Sequence, residues 1–132
     1  MLKYLNMRLT SKEKGDFAED LAVSFLRRKG YSILDRNYWT SHGELDIIAK
    51  FRNEIVFFEV KSVSRETLSN VSYETFDPSQ NMHERKLKHL FFAIQHYLNK
   101  KDPEKDSFIL KLLLVEYSKR EKKAKFTIFD LL

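Results

Sequence analysis

The sequence predicts an α/β protein in the order α-β-β-β-α-β-β, a single domain spanning residues 1–132. Apolar residues recur at helical spacing in two segments, while alternating or continuous apolar runs of strand length occupy five others. A chain of 132 residues, 42% hydrophobic and 14% aromatic, supplies one core of ordinary size and leaves little for a second.

Thr10 followed by Glu13 has the form of a capping box and opens the first helix, which runs to about Lys29 and stops at Gly30. Phe17, Leu21 and Phe25, joined by Ala18 and Ala22, form its apolar stripe. Residues 31–38 read as the first strand, and 44–50 and 55–63 as two more, folded into a meander by the turn Phe51-Arg52-Asn53-Glu54. Residues 64–80 are polar, aperiodic and long for a connection within a compact domain. Leu87, Leu90, Phe91, Ile94, Tyr97 and Leu98 then mark a second helix from about Met82 to Lys101, ended by Asp102-Pro103. Residues 108–117 and 126–129 read as strands flanking the basic turn Lys119-Arg120-Glu121-Lys122-Lys123.

Composition excludes several functions. With no cysteine there is no disulfide, thiolate metal site or cysteine nucleophile, and a metal must bind through oxygen or imidazole. The three glycines, Gly15, Gly30 and Gly43, stand too far apart for a dinucleotide or Walker-type phosphate loop. The net charge of +5 points to a polyanionic partner. No stretch has the length of a secretory signal or membrane span, so the expectation is a cytoplasmic protein without a membrane partner.

The chemistry lies in the meander. A symmetrical turn at Arg52-Asn53 sets Asp46 opposite Glu59 and Glu44 opposite Lys61 on one face. Leu45, Ile47 and Ala49 then oppose Val56, Phe58 and Val60 on the other. Ile48, Ile55, Phe57 and Val63 surround the four ionisable groups, so that face is covered too. Burying carboxylates there without compensation costs several kcal/mol, and facing acids about 5 Å apart add repulsion. One lysine does not neutralise three acids; a divalent cation does, and hard oxygen ligands select Mg²⁺ or Mn²⁺. On the first helix Glu19 shares a column with Ala22 and Leu26 at the rim of the apolar stripe, whereas Glu13, Asp16 and Asp20 have ordinary solvent or helix-start explanations.

Alternatives stand beside these assignments. Asp46, Glu59 and Lys61 also fit a structural ion pair at a sheet end, Glu44 a cross-strand pair with Lys61, and Lys86 either a snorkelling surface lysine or a substrate contact. His42, His83, His89 and His96 have no ligand spacing and read as structural or surface groups; Trp39 reads as a core or rim residue, with base stacking as the alternative. Phe92 lies off the main stripe of its helix and is a candidate dimer contact.

The run Gly15-x-x-x-Glu19, Leu26, Lys29-Gly30-Tyr31, Asn37-Tyr38, Gly43-Glu44-Leu45-Asp46-Ile47-Ile48 and Phe58-Glu59-Val60-Lys61 resembles the YraN-like family of small bacterial proteins. Lys86, Leu90, Tyr97 and Leu98 resemble that family's second helix, while the segment after Asp102 departs from its pattern. The family in turn resembles the PD-(D/E)xK nuclease superfamily, archaeal Holliday junction resolvases above all. This resemblance implies a restriction-endonuclease-like core, a central mixed sheet with helices on both faces. It implies Glu19 as the helix acid, Asp46 and Glu59 as metal ligands and Lys61 as the catalytic lysine, with Leu45 where the superfamily's name has proline. Glu19 and Glu44 are further metal-ligand candidates. The implied function is a Mg²⁺- or Mn²⁺-dependent endonuclease acting on DNA, branched or otherwise structured, with a two-fold homodimer suited to a resolvase-like substrate. The alternative is a nucleic-acid-binding module that keeps the fold and does not cut.

Overall fold

The computed structural model describes residues 10–68 and 83–131. Helix α1 (Ser11–Arg28) is followed by strands β1 (Ser32–Thr40), β2 (Gly43–Phe51) and β3 (Glu54–Ser64), helix α2 (Glu84–Lys101), and strands β4 (Ile109–Ser118) and β5 (Lys123–Asp130). The order is the one the sequence predicts. Both halves of the capping box form: the Glu13 amide donates to Thr10 Oγ1 and the Thr10 amide to the Glu13 carboxylate, each at 3.2 Å. Gly30, at φ 97°, turns the chain out of α1 in a conformation that a side chain would strain.

The five strands lie in sequence order, β1-β2-β3-β4-β5. β3 and β4 are parallel, because α2 carries the chain across the sheet between them, and the other neighbours are antiparallel. The sheet is therefore mixed and covered on both faces. Phe17, Leu21, Ala22 and Leu26 of α1 pack on Ile47, Val56, Phe58, Leu113 and Val115. Leu90, Ile94, Tyr97 and Leu98 of α2 pack on Ile48, Phe57, Leu110, Leu112 and Leu114.

β2 and β3 pair from Phe51↔Glu54 to Ile47↔Phe58, the register expected of a symmetrical turn. Arg52 and Asn53 both take positive φ, 50° and 65°, as a tight right-twisting hairpin requires. The pairing ends at Ile47 and Phe58, so the Asp46/Glu59 and Glu44/Lys61 positions lie beyond its last rung. Across the other edge of β2, pairing steps from Arg36↔Ile47 to Tyr38↔Leu45 and passes over Asn37 and Asp46. Asn37 has φ 49°. This interruption breaks the alternation of faces: Leu45, expected beside Ile47 and Ala49, packs instead in the α2 core with Ile48.

Two other expectations shift. Of the core and rim readings of Trp39, the core one fails, since the ring is 72% exposed near the end of β1. Lys123 and Lys125, read as part of a basic turn or its flank, belong to β5 and pair with Ser118 and Glu116. The start of the second helix at Met82 and residues 69–80 of the long connection lie outside the described residues. No described helix is long and apolar enough to cross a membrane.

Candidate active site

Beyond the last rung between β2 and β3 the hairpin opens into a fork, and Asp46 stands in it. Its Oδ2 accepts the Val60 amide at 2.9 Å, engaging a donor that continued strand pairing would have used. A side chain thus replaces a backbone rung, which fixes the carboxylate relative to both strands. Glu44 precedes it on β2, and Glu19 reaches the same place from the middle of α1. One carboxylate oxygen from each of Glu19, Glu44 and Asp46 lies within 4.8 Å of the others.

Asn37 closes the cluster from β1. With its amide nitrogen turned inward, it donates to Glu44 Oε1 at 2.6 Å and to Glu19 at 2.8 and 3.0 Å. That orientation is assigned from the hydrogen bonds, since the opposite one sets the amide oxygen against three acceptors. Around the cluster, Arg36 pairs with Asp20 at 2.8 Å and also places positive charge near Glu19.

The carboxylates are driven toward their neutral forms. Burial pushes Glu19 up to about 7, with Arg36 opposing and Glu44 adding to the rise. Burial pushes Asp46 up to about 8, reinforced by the charge of Glu59 and resisted by the Val60 amide. Glu44 rises in the same direction, through burial and then Glu59. At neutral pH the cluster therefore holds protons, and a cation that binds there displaces them.

The remaining expected residues sit differently. Glu59 is near enough to repel Asp46 and Glu44 but is not one of the three converging carboxylates; its Oε1 pairs with Lys86 Nζ at 2.9 Å. The facing pair Asp46 and Glu59 therefore does not form the shared point that their register suggests. Lys61 is exposed on β3, and the ion pair considered for it with Glu44 is not among those of the described residues. Lys86, weighed as a surface lysine or substrate contact, is an exposed lysine whose ammonium pairs with Glu59. Asn37 carried no charge signal in the sequence beyond its place in the Asn37-Tyr38 motif.

The donor set fits a hard divalent cation: three carboxylates, all oxygen, no sulfur or imidazole, each disfavoured as a bare anion by its surroundings. The mixed sheet with a helix on each face, and acids gathered where its hairpin opens, defines an α/β protein of restriction-endonuclease-like architecture. Residues 18–130 match the model of the uncharacterised protein family UPF0102, and the chain belongs to that family. A UPF0102 protein of Helicobacter pylori strain J99 is 36% identical over 120 residues, covering 91% of this chain and 94% of its own. One from Thermotoga maritima is 41% identical over 97 residues (70% and 80%), and one from Clostridioides difficile 40% identical over 92 residues (70% and 75%).

Proposed function

We propose that this protein is a cytoplasmic Mg²⁺- or Mn²⁺-dependent nuclease that hydrolyses phosphodiester bonds in DNA. The observation that carries the reading is the meeting of Glu19, Glu44 and Asp46 from two elements at the point where β2 and β3 separate. The resemblance of the Glu19, Asp46 and Glu59-x-Lys61 pattern to PD-(D/E)xK nucleases supports it. Glu19, Glu44 and Asp46 would hold the ion, which when bound would supply charge stabilisation at a phosphate oxygen and a more acidic water. The Val60 amide holds Asp46 in register. Asn37 spaces Glu19 from Glu44 by hydrogen-bonding both. Lys61, two residues beyond Glu59 on the same strand, orients the attacking water or balances charge on the phosphoryl group. The Glu59–Lys86 pair keeps a fourth acid beside the cluster without adding its full charge to it.

The engagement of Glu59 by Lys86 favours a second reading, in which the fold binds nucleic acid without cutting it. Incubation with nicked, flapped, branched and single-stranded DNA in Mg²⁺ or Mn²⁺ separates the two. The nuclease reading expects cleavage by the wild type and losses of at least about 100-fold in Asp46→Asn and Lys61→Ala. Cleavage that persists in both variants, or salt-sensitive binding by a wild type that never cuts, overturns it.

A further inference from the structure

A groove leads away from the carboxylates between the β1–β2 turn and the first turns of α2. Its inner part is bounded by Glu44, Glu59, Lys86 and His42, with Leu90 and Ala93 as floor. The outer part, about 530 Å³, is bounded by His42, Arg85, Lys88, His89 and Phe92, with Glu84 at its side. His42 and His89 line both parts, so the groove is continuous with the acid cluster. Its outer volume falls within the range of sites that take small organic ligands.

Two properties of this wall go together. Arg85 and Lys88 are exposed on successive turns of α2, on the side facing the groove. Aromatic rings are also left uncovered: Phe92 is 47% exposed and lies 5.1 Å from the His42 ring, bridging α2 to the β1–β2 turn. Cations beside bare ring faces suit a chain carrying both phosphates and unstacked bases; a duplex hides its base faces and offers only phosphates and groove edges. From this juxtaposition we propose that the groove binds single-stranded nucleic acid, with bases stacked on Phe92 and His42 and phosphates on Arg85 and Lys88, and delivers the strand to the carboxylates. The inference rests on the nucleic-acid reading of that site and names the form of its substrate.

Anisotropy of a fluorescein-labelled oligothymidylate, with the full chain in EDTA, measures binding without cleavage. The single strand binds more tightly than a duplex of equal length. Phe92→Ala weakens single-strand binding by about 5- to 150-fold and leaves the salt slope unchanged, Phe92→Trp restores affinity, and Arg85→Ala lowers the slope by about one. Phe92 is 47% exposed, so its variants retain the wild-type melting transition. Equal or tighter binding of the duplex, no binding of either form, or wild-type affinity in Phe92→Ala overturns the proposal. The nuclease reading fails separately: a protein that binds single strands through Phe92 but never cuts in Mg²⁺ or Mn²⁺ loses that activity and keeps this groove, whereas a protein that cuts while Phe92→Ala binds normally keeps the activity and loses the groove.

Discussion

Asn37 occupies the point where pairing is broken, at φ 49°, a left-handed conformation that asparagine tolerates better than most residues. That backbone turns its amide onto Glu19 and Glu44, and the two roles can be separated. Asn37→Gly removes the amide and keeps the backbone relaxed; Asn37→Ala removes the amide and adds strain of about 1–2 kcal/mol. Both variants are expected to bind Mn²⁺ about 10- to 100-fold more weakly by calorimetry, as for other groups that hold metal ligands in place, with Asn37→Ala alone showing the additional loss in urea unfolding. Wild-type Mn²⁺ affinity in Asn37→Gly would remove the positioning role. Lys86→Ala frees the Glu59 carboxylate, which is 14% exposed, and is expected to lower stability without metal while tightening Mn²⁺ binding; unchanged affinity would place Glu59 outside the ion's reach. Glu19, Glu44 and Asp46 were legible in the sequence because each interrupts or borders an apolar pattern. Asn37 was not, since a polar residue on an edge strand is ordinary until the backbone conformation beneath it is known. The engagement of Glu59 depends on where α2 sets Lys86, which no local pattern encodes.

Helix α2 ties the edge of the sheet to its centre. Its Tyr97 is buried, with the ring edge-on to both Tyr38 of β1 and Phe57 of β3, and its hydroxyl donates to Asp35 Oδ2 at 2.7 Å. Burial and the Asp35 hydrogen bond both raise the phenol's pKa, so it stays a donor. Tyr97→Phe is expected to cost about 1–3 kcal/mol in urea unfolding, because the partly buried Asp35 carboxylate loses its donor; a cost near zero would show that water replaces it. All seven elements of the described residues were readable from apolar spacing, turn residues and the Thr10–Glu13 box, because each of these signals is local. The facing of Leu45 was not: strict alternation holds only where the ladder continues, and here it is interrupted at Asp46 before resuming at Leu45. The departure from strand regularity thus falls where the candidate site lies, and the same break that misplaces Leu45 makes room for the acids.

Stability of the whole molecule should report on the acid cluster through protons and metal together. The folded pKa of Glu19, about 7, and that of Asp46, about 8, lie above the ordinary values of 4.5 and 3.8. The fold therefore favours the protonated forms: their contribution is fully present below about pH 4 and is lost as pH rises through 7 to 8. Without metal, the wild type is expected to lose stability relative to Asp46→Asn over that interval, because the variant cannot ionise at this position. A divalent ion at about 100 times its Kd returns about 2.7 kcal/mol, roughly 10 °C in Tm for a chain of this length. Protons compete for the same oxygens, so the Mn²⁺-induced rise in Tm should be larger at pH 8 than at pH 6 and should vanish in Asp46→Asn. Thermal melts in EDTA and in Mn²⁺ at the two pH values provide the comparison. A metal-induced shift of equal size at both, or one that survives Asp46→Asn, would move the ion away from this cluster and leave the three acids as a site of strain alone.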